Sequence, residues 1–173
     1  VFVDEAYHEY VTDSSYGSMA QIAATTDNVV VSRTASKIHG FAGVRLGIGY
    51  GSEAWIKKIR EFMTGGTNQL AVAGAAESYK DIETQDFLRR KNREALQITY
   101  DLFDKHGVEY VKSNANFIFF KTGEDIQEVR KKFRENGIIV ARPFPPFLDW
   151  CRVSMGKPED MHYFAEIYEK LYT

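Results

Sequence analysis

The chain has 173 residues, 44% of them hydrophobic, and a formal net charge of −2. That apolar content supports a globular core and argues against disorder, and the near-balanced charge gives no electrostatic case for nucleic acid or an anionic membrane. No apolar run approaches the ~20 residues of a membrane span, and the single cysteine, Cys151, allows no intrachain disulfide and fits a reducing, cytoplasmic compartment.

The chain opens on "VFVDEAYHEY", inside an apolar run and without a methionine or a leader pattern, so the sequence reads as a piece of a longer protein. Val1–Val3 is a short continuous apolar run, the mark of a strand buried on both faces, and it ends in Asp4 and Glu5. "SMAQIAAT" from Ser18 predicts a short helix with Ser18 as its cap. "NVVVS" from Asn28 predicts a second buried strand, β-branched at its centre. Strand, helix and strand at this spacing predict a parallel crossover. "VRLGIGYG" from Val44 reads as a third strand.

"SEAWIKKIREFM" has a capping serine, Ser52, and apolar residues at Trp55, Ile56, Ile59 and Phe62, which is helical spacing; Gly65 and Gly66 break it. "NQLAVAGAAESY" reads as a small-residue helix packed close to a sheet. A long amphipathic helix follows from Thr84 to about Lys105, with Phe87, Leu88, Leu96, Tyr100 and Phe103 as its apolar face and His106-Gly107 as its stop. Beyond Gly107 strands and helices alternate: "VEYV" and "NFIFFKT" as strands, "EDIQEVRKKFRENG" as a helix closed by Gly137, "IIVA" and "WCRVSM" as strands, and a last helix from Pro158. A break near Asp81 divides the chain into 1–80 and 81–173, the second part including the long connecting helix.

Ligands in open α/β sheets sit outside the carboxyl ends of parallel strands. Asp4 ends the first strand and Lys37 follows the second, so the two face one crevice. A lysine near a buried aspartate and an arginine suits pyridoxal 5′-phosphate. The amine joins the cofactor aldehyde as a Schiff base, a carboxylate keeps the pyridine nitrogen protonated, and hydroxyls with a guanidinium hold the phosphate.

"VDEAYHEY", "SRTASKIHGFAGVRLG" and "CRVSMG" together resemble the fold-type I aminotransferases of class I and II, and most closely their histidinol-phosphate aminotransferase branch. The resemblance runs the whole chain in order and matches only the C-terminal half of such proteins. It implies an α/β fold class: the end of the cofactor-binding large domain, a mostly parallel sheet with helices, over 1–80, then an α+β small domain over 81–173. It implies Lys37 as the Schiff-base lysine, Asp4 on the pyridine nitrogen, and Tyr7 on the ring 3-oxygen. Thr34, Ser36 and Arg45 would hold the phosphate. Arg152 would receive the substrate α-carboxylate, and Asn116 in "NANFIFF" matches a recurrent small-domain asparagine. Transfer of an amino group between an amino acid, or histidinol phosphate, and a 2-oxo acid by a homodimer is the activity implied, with the missing half needed for it. The same scaffold also carries decarboxylases and lyases, and non-catalytic regulatory modules.

Other residues have plainer readings. His39, two places after Lys37, reads as packing beside the motif, with tuning of the site as its alternative. Cys151 should point away from Arg152 on its strand as a packed thiol. "RPFPPFLDW", Arg142–Trp150, reads as a stiff loop in which Phe144 and Phe147 shape the substrate entrance.

Overall fold

The computed structural model describes residues 1–173, which divide into two units, Val1–Phe87 and Leu88–Thr173. The expected break between 80 and 81 lies just before the long helix, whereas the units divide inside it.

In the first unit, β1 (Phe2–Asp4), β2 (Val30–Thr34) and β3 (Gly47–Tyr50) form one sheet in that order. β1 and β2 are parallel, with Asp4 opposite Ser32, and α1 (Ala20–Thr25) makes the crossover between them. β3 returns antiparallel, with Thr34 opposite Gly47. Ala23, Val29 and Val31 are the buried apolar centre. β1 departs from the expectation of a strand buried on both faces: Val1 is 81% and Phe2 67% exposed. The reason is topological, since β1 is an edge strand and only its β2 side is paired.

Two further helices, α2 (Glu53–Glu61) and α3 (Gln69–Lys80), complete this unit before α4 (Ile82–Lys105). Ser52 precedes α2, but its side chain makes no cap hydrogen bond. α3 is capped instead by Asn68, whose Oδ1 accepts from the amides of Leu70 and Ala71. For α1 the cap position is Met19, and the Ser18 hydroxyl one place earlier accepts from the Ala20 amide at 3.1 Å.

The second unit is an antiparallel sheet of β4 (Tyr110–Val111), β5 (Phe117–Lys121) and β6 (Trp150–Ser154), with α5 (Ile126–Glu135) and α6 (Pro158–Tyr172). Phe103 of α4, Ile118 and Phe120 of β5, Phe133 of α5, Cys151 and Val153 of β6, and Phe164 of α6 share one buried core. Alternation along β5 and β6 puts Ile118, Phe120, Cys151 and Val153 on that core. Gly107 and Gly137, with φ of 63° and 77°, end α4 and α5 in the left-handed turn that glycine adopts freely. Two sequence expectations fail here. "IIVA" is not a strand; Val140 is buried and the Ala141 amide bonds Arg152 O, but no ladder forms beyond that. Phe87 does not belong to the apolar face of α4, being 49% exposed, because the core begins only at Ala95 and Leu96.

Candidate active site

β2 ends at Thr34, and the chain then folds into a tight turn around Lys37. The Ala35 amide bonds Leu46 O at 3.2 Å, the Gly40 amide bonds Lys37 O at 3.0 Å, and the Phe41 amide returns to Ala35 O at 2.9 Å. Gly40 takes a φ of 73°, which a side-chain-bearing residue rarely adopts. Thr34 stiffens the entry: its Oγ1 donates to Leu46 O at 3.3 Å and accepts from the Ser36 amide at 3.0 Å. α3 lies against this turn so closely that a Cβ on Gly74 would stand 3.1 Å from the Phe41 ring. At Gly74 the absence of a side chain therefore makes room for the turn.

Lys37 is half-buried, and its Nζ lies over the Tyr7 ring, 5.0 Å from the centroid. Tyr7 stands at the cap of a short 3₁₀ turn, His8–Tyr10, that follows β1. The pair joins residues 30 positions apart and unites two of the predicted site residues. Asp4, at the end of β1, is exposed rather than buried as expected. Its Oδ1 accepts from the Ala6 amide at 3.1 Å and from Ser32 Oγ at 3.2 Å, which fixes the carboxylate at the end of the parallel pair. The exposure has the same cause as that of Val1 and Phe2, since Asp4 lies on the edge strand.

Arg45 is exposed and holds a φ of 61°, the one positive value at a residue other than glycine. One Nη1 bond to Ala42 O at 2.8 Å orients the guanidinium. In the second unit, Arg152 on β6 points away from the buried Cys151, as alternation requires. Burial pushes the Cys151 thiol up to about 12, so it is a packed, protonated group. The Arg152 guanidinium lies 4.9 Å from the Phe117 ring and 5.0 Å from the Phe144 ring, and its Nε has no acceptor. An open cleft of about 520 Å³ runs beside it, walled by Phe117, Phe119, Phe144, Pro145 and Phe147. Asn116 sits at the entry to β5, where its carbonyl accepts from the Met155 amide at 2.9 Å. The sites of Arg152 and Asn116 are thus built within their own unit.

For two groups, Glu5 and His39, the partners were not legible from the motifs. The Glu5 carboxylate, buried beside Asp4, accepts from Ser18 Oγ at 2.9 Å, from the Met19 amide at 2.7 Å, and from Arg33 Nε at 3.0 Å. Burial alone would raise the Glu5 carboxyl, but these hydrogen bonds and the Arg33 charge outweigh it and hold it below the ordinary glutamate value. His39 is buried as a packing reading requires, but its contacts are specific: Nδ1 lies 2.9 Å from Ser78 Oγ, and the ring lies 3.9 Å from that of Tyr79. Desolvation lowers the His39 pKa below the ordinary histidine value.

The donor set suits a phosphorylated aromatic aldehyde. An amine faces a phenol ring, a fixed carboxylate ends the adjoining strand, and two hydroxyls and a guanidinium border the lysine turn.

Residues 1–167 match the family model described as "Aminotransferase class I and II". The chain is 36% identical over its full length to a histidinol-phosphate aminotransferase of Brevibacillus brevis, covering 48% of that protein. It superposes on the histidinol-phosphate aminotransferase of Sinorhizobium meliloti, solved with pyridoxal-5′-phosphate, with a TM-score of 0.84 and 22% identity over 98% of this chain and 49% of that one. It has the same fold as the L-threonine-O-3-phosphate decarboxylase of Porphyromonas gingivalis, at a TM-score of 0.80 and 19% identity over 98% of this chain and 54% of that one. The chain spans about half the length of the relatives it matches.

Proposed function

This chain belongs to the class I and II aminotransferases, a family of fold-type I enzymes, and from that premise we propose that the whole protein is a pyridoxal-phosphate-dependent aminotransferase. Its amino donor is an amino acid or histidinol phosphate, its acceptor a 2-oxo acid, and it works as a homodimer in the cytoplasm. In the same reading, 1–80 is the end of the cofactor-binding domain and 81–173 is the small domain. No helix is long and apolar enough to cross a membrane.

The observation that carries the reading is the Lys37 amine held over the Tyr7 ring at 5.0 Å. Bound pyridoxal phosphate supplies an aldehyde for the amine and a ring that delocalises the electrons of a breaking Cα bond. Asp4, whose carboxylate is fixed by the Ala6 amide, would accept the pyridine N–H. Tyr7 would donate to the ring 3-oxygen. Thr34, Ser36 and Arg45 would hold the phosphate, where a guanidinium can bind two oxygens at once. Lys37 Nζ, freed by the incoming substrate amine, would be the base that removes the Cα proton and the acid that gives it back. Arg152 binds the substrate carboxylate, with Asn116 beside β6 and the aromatic cleft taking the side chain.

Borohydride treatment of the whole protein with pyridoxal phosphate tests this. The pyridoxyl label is expected on Lys37 alone, and Lys37→Ala should lose both label and turnover. A label on any other lysine removes the assignment. Product analysis belongs to the same experiment: a 2-oxo acid from an amino acid, or a ketone from histidinol phosphate, marks transamination, and an amine released from an amino acid with carbon dioxide marks decarboxylation.

A further inference from the structure

We propose that His39 is a positioning residue that acts through Glu9 to set the separation between Tyr7 and Lys37. The inference rests on the reading of Lys37 as the reacting amine. The imidazole of His39 is 0% exposed and the Glu9 side chain 7%, and Nε2 lies 4.0 Å from Glu9 Oε1. Each partner stands two residues from one member of the Tyr7–Lys37 pair. Glu9 belongs to the 3₁₀ turn whose Tyr10 amide bonds Tyr7 O at 3.0 Å. His39 belongs to the turn closed by the Gly40 amide on Lys37 O at 3.0 Å. A displacement of either turn must therefore change the Glu9–His39 distance and the Tyr7–Lys37 distance together.

A carboxylate in an enclosed site is sensitive to every polar group that faces it, and the imidazole edge faces Glu9 at 4.0 Å, beyond hydrogen-bond distance. Ser78 holds the other nitrogen at 2.9 Å, and the Tyr79 ring covers the face at 3.9 Å, so the ring cannot turn away from Glu9. Burial pushes the Tyr79 phenol up to about 12, so it stands beside His39 as a neutral group, while the Glu9 carboxylate faces the other edge. Ser78 and Tyr79 both lie on α3, whose Gly74 packs on Phe41 of the lysine turn. The helix thus backs the imidazole, the imidazole meets the carboxylate, and the carboxylate sits on the turn that carries Tyr7.

Paired amide substitutions separate positioning from packing. In His39→Asn the amide replaces Nδ1, which keeps Ser78 and gives up Glu9. In His39→Gln the amide reaches the place of Nε2, which keeps Glu9. The variants are made in the whole protein, with Glu9→Gln alongside. Two readouts are taken: the rate at which Lys37 captures pyridoxal phosphate before borohydride trapping, and, without cofactor, the pH profile of Lys37 labelling by an amine reagent relative to the other lysines. His39→Asn and Glu9→Gln are expected to slow capture by roughly 10- to 100-fold, as for a reacting group misplaced by about 1 Å, with His39→Gln within about threefold of the parent. The two impaired variants are also expected to shift the labelling profile together. Capture and profile unchanged in His39→Asn, or His39→Gln impaired as much as His39→Asn, overturns the proposal. Should His39→Asn fail to fold, Glu9→Gln carries the same expectation. If the parent protein takes no pyridoxal phosphate at Lys37, the aminotransferase reading fails, and the cofactor-free profile still decides the coupling: no shift in Glu9→Gln overturns it.

Discussion

At the scale of the residue, Arg45 holds a conformation that costs a side-chain-bearing residue roughly 1–2 kcal/mol, at a φ of 61°. A structural role alone would be served by glycine, so the guanidinium is the reason to accept the cost. Arg45→Gly is expected to keep or raise the melting temperature and to weaken cofactor binding by about 1.5–3 kcal/mol, the loss of one charge-assisted hydrogen bond. Equilibrium titration with pyridoxal phosphate measures it, and an unchanged affinity would remove Arg45 from the phosphate site. Asp4→Asn is expected to behave differently. It leaves the Ser32 and Ala6 contacts a carbonyl to bond but takes away the charge that, in the proposed role, would hold a proton on the ring nitrogen. Turnover should fall far more than affinity, and the reverse pattern would exchange the two roles.

At the scale of the element, Glu5 ties together β1, the start of α1 and β2. Its carboxylate takes the Met19 amide and the Ser18 hydroxyl on one side and Arg33 of β2 on the other. The shifted pKa makes this a pH-dependent tie. The folded value lies below the unfolded value of about 4.3, so the stabilisation is complete above that pH and is lost as pH falls through the folded pKa. Glu5→Gln should cost about 3–5 kcal/mol at neutral pH, because Arg33 is left without its anion, and should flatten the acid limb of a pH–stability curve. A variant as stable as the parent would show that the charge contributes nothing to this junction.

At the scale of the whole molecule, the two units differ in how much apolar surface they bury. Leu88–Thr173 encloses aromatic side chains from α4, β5, α5 and α6, whereas the sheet of Val1–Phe87 has only Ala23, Val29 and Val31 at its buried centre. Hydrogen exchange should therefore protect the amides of α4 and β5 more strongly than those of β1–β3; equal protection would contradict the difference in core. The shorter reach of the chain relative to its kin bears on activity. Residues 1–173 span 48% of the Brevibacillus brevis protein. On its own the chain is expected to convert glutamate or histidinol phosphate no faster than free pyridoxal phosphate with a simple amine. Orientation can supply roughly 7–11 kcal/mol of a barrier, and half of the relatives' framework is not in the chain. Saturable turnover by the isolated chain, followed at the cofactor's absorbance, would show that half to be dispensable.

Local pattern was enough for the parts that depend on neighbours in sequence. The β-branched run before Lys37, the glycine after α4, and the alternation along "NFIFFKT" and "WCRVSM" all read correctly, because a strand face or a left-handed stop is decided within a few residues. What lies beside an element is not written in its own period. Val1–Val3 has the composition of a central strand and occupies an edge; "IIVA" has that of a strand and pairs only through Ala141; Phe87 keeps helical phase with Leu96 and Phe103 but stands before the core begins. The charges show the same limit. Glu5 finds Arg33 across 28 positions and His39 finds Ser78 across 39, so their partners exist only after the sheet has formed and α3 has closed over the turn. The place of Lys37 just after the second strand was thus local information, whereas its distance from Tyr7 is a property of tertiary packing.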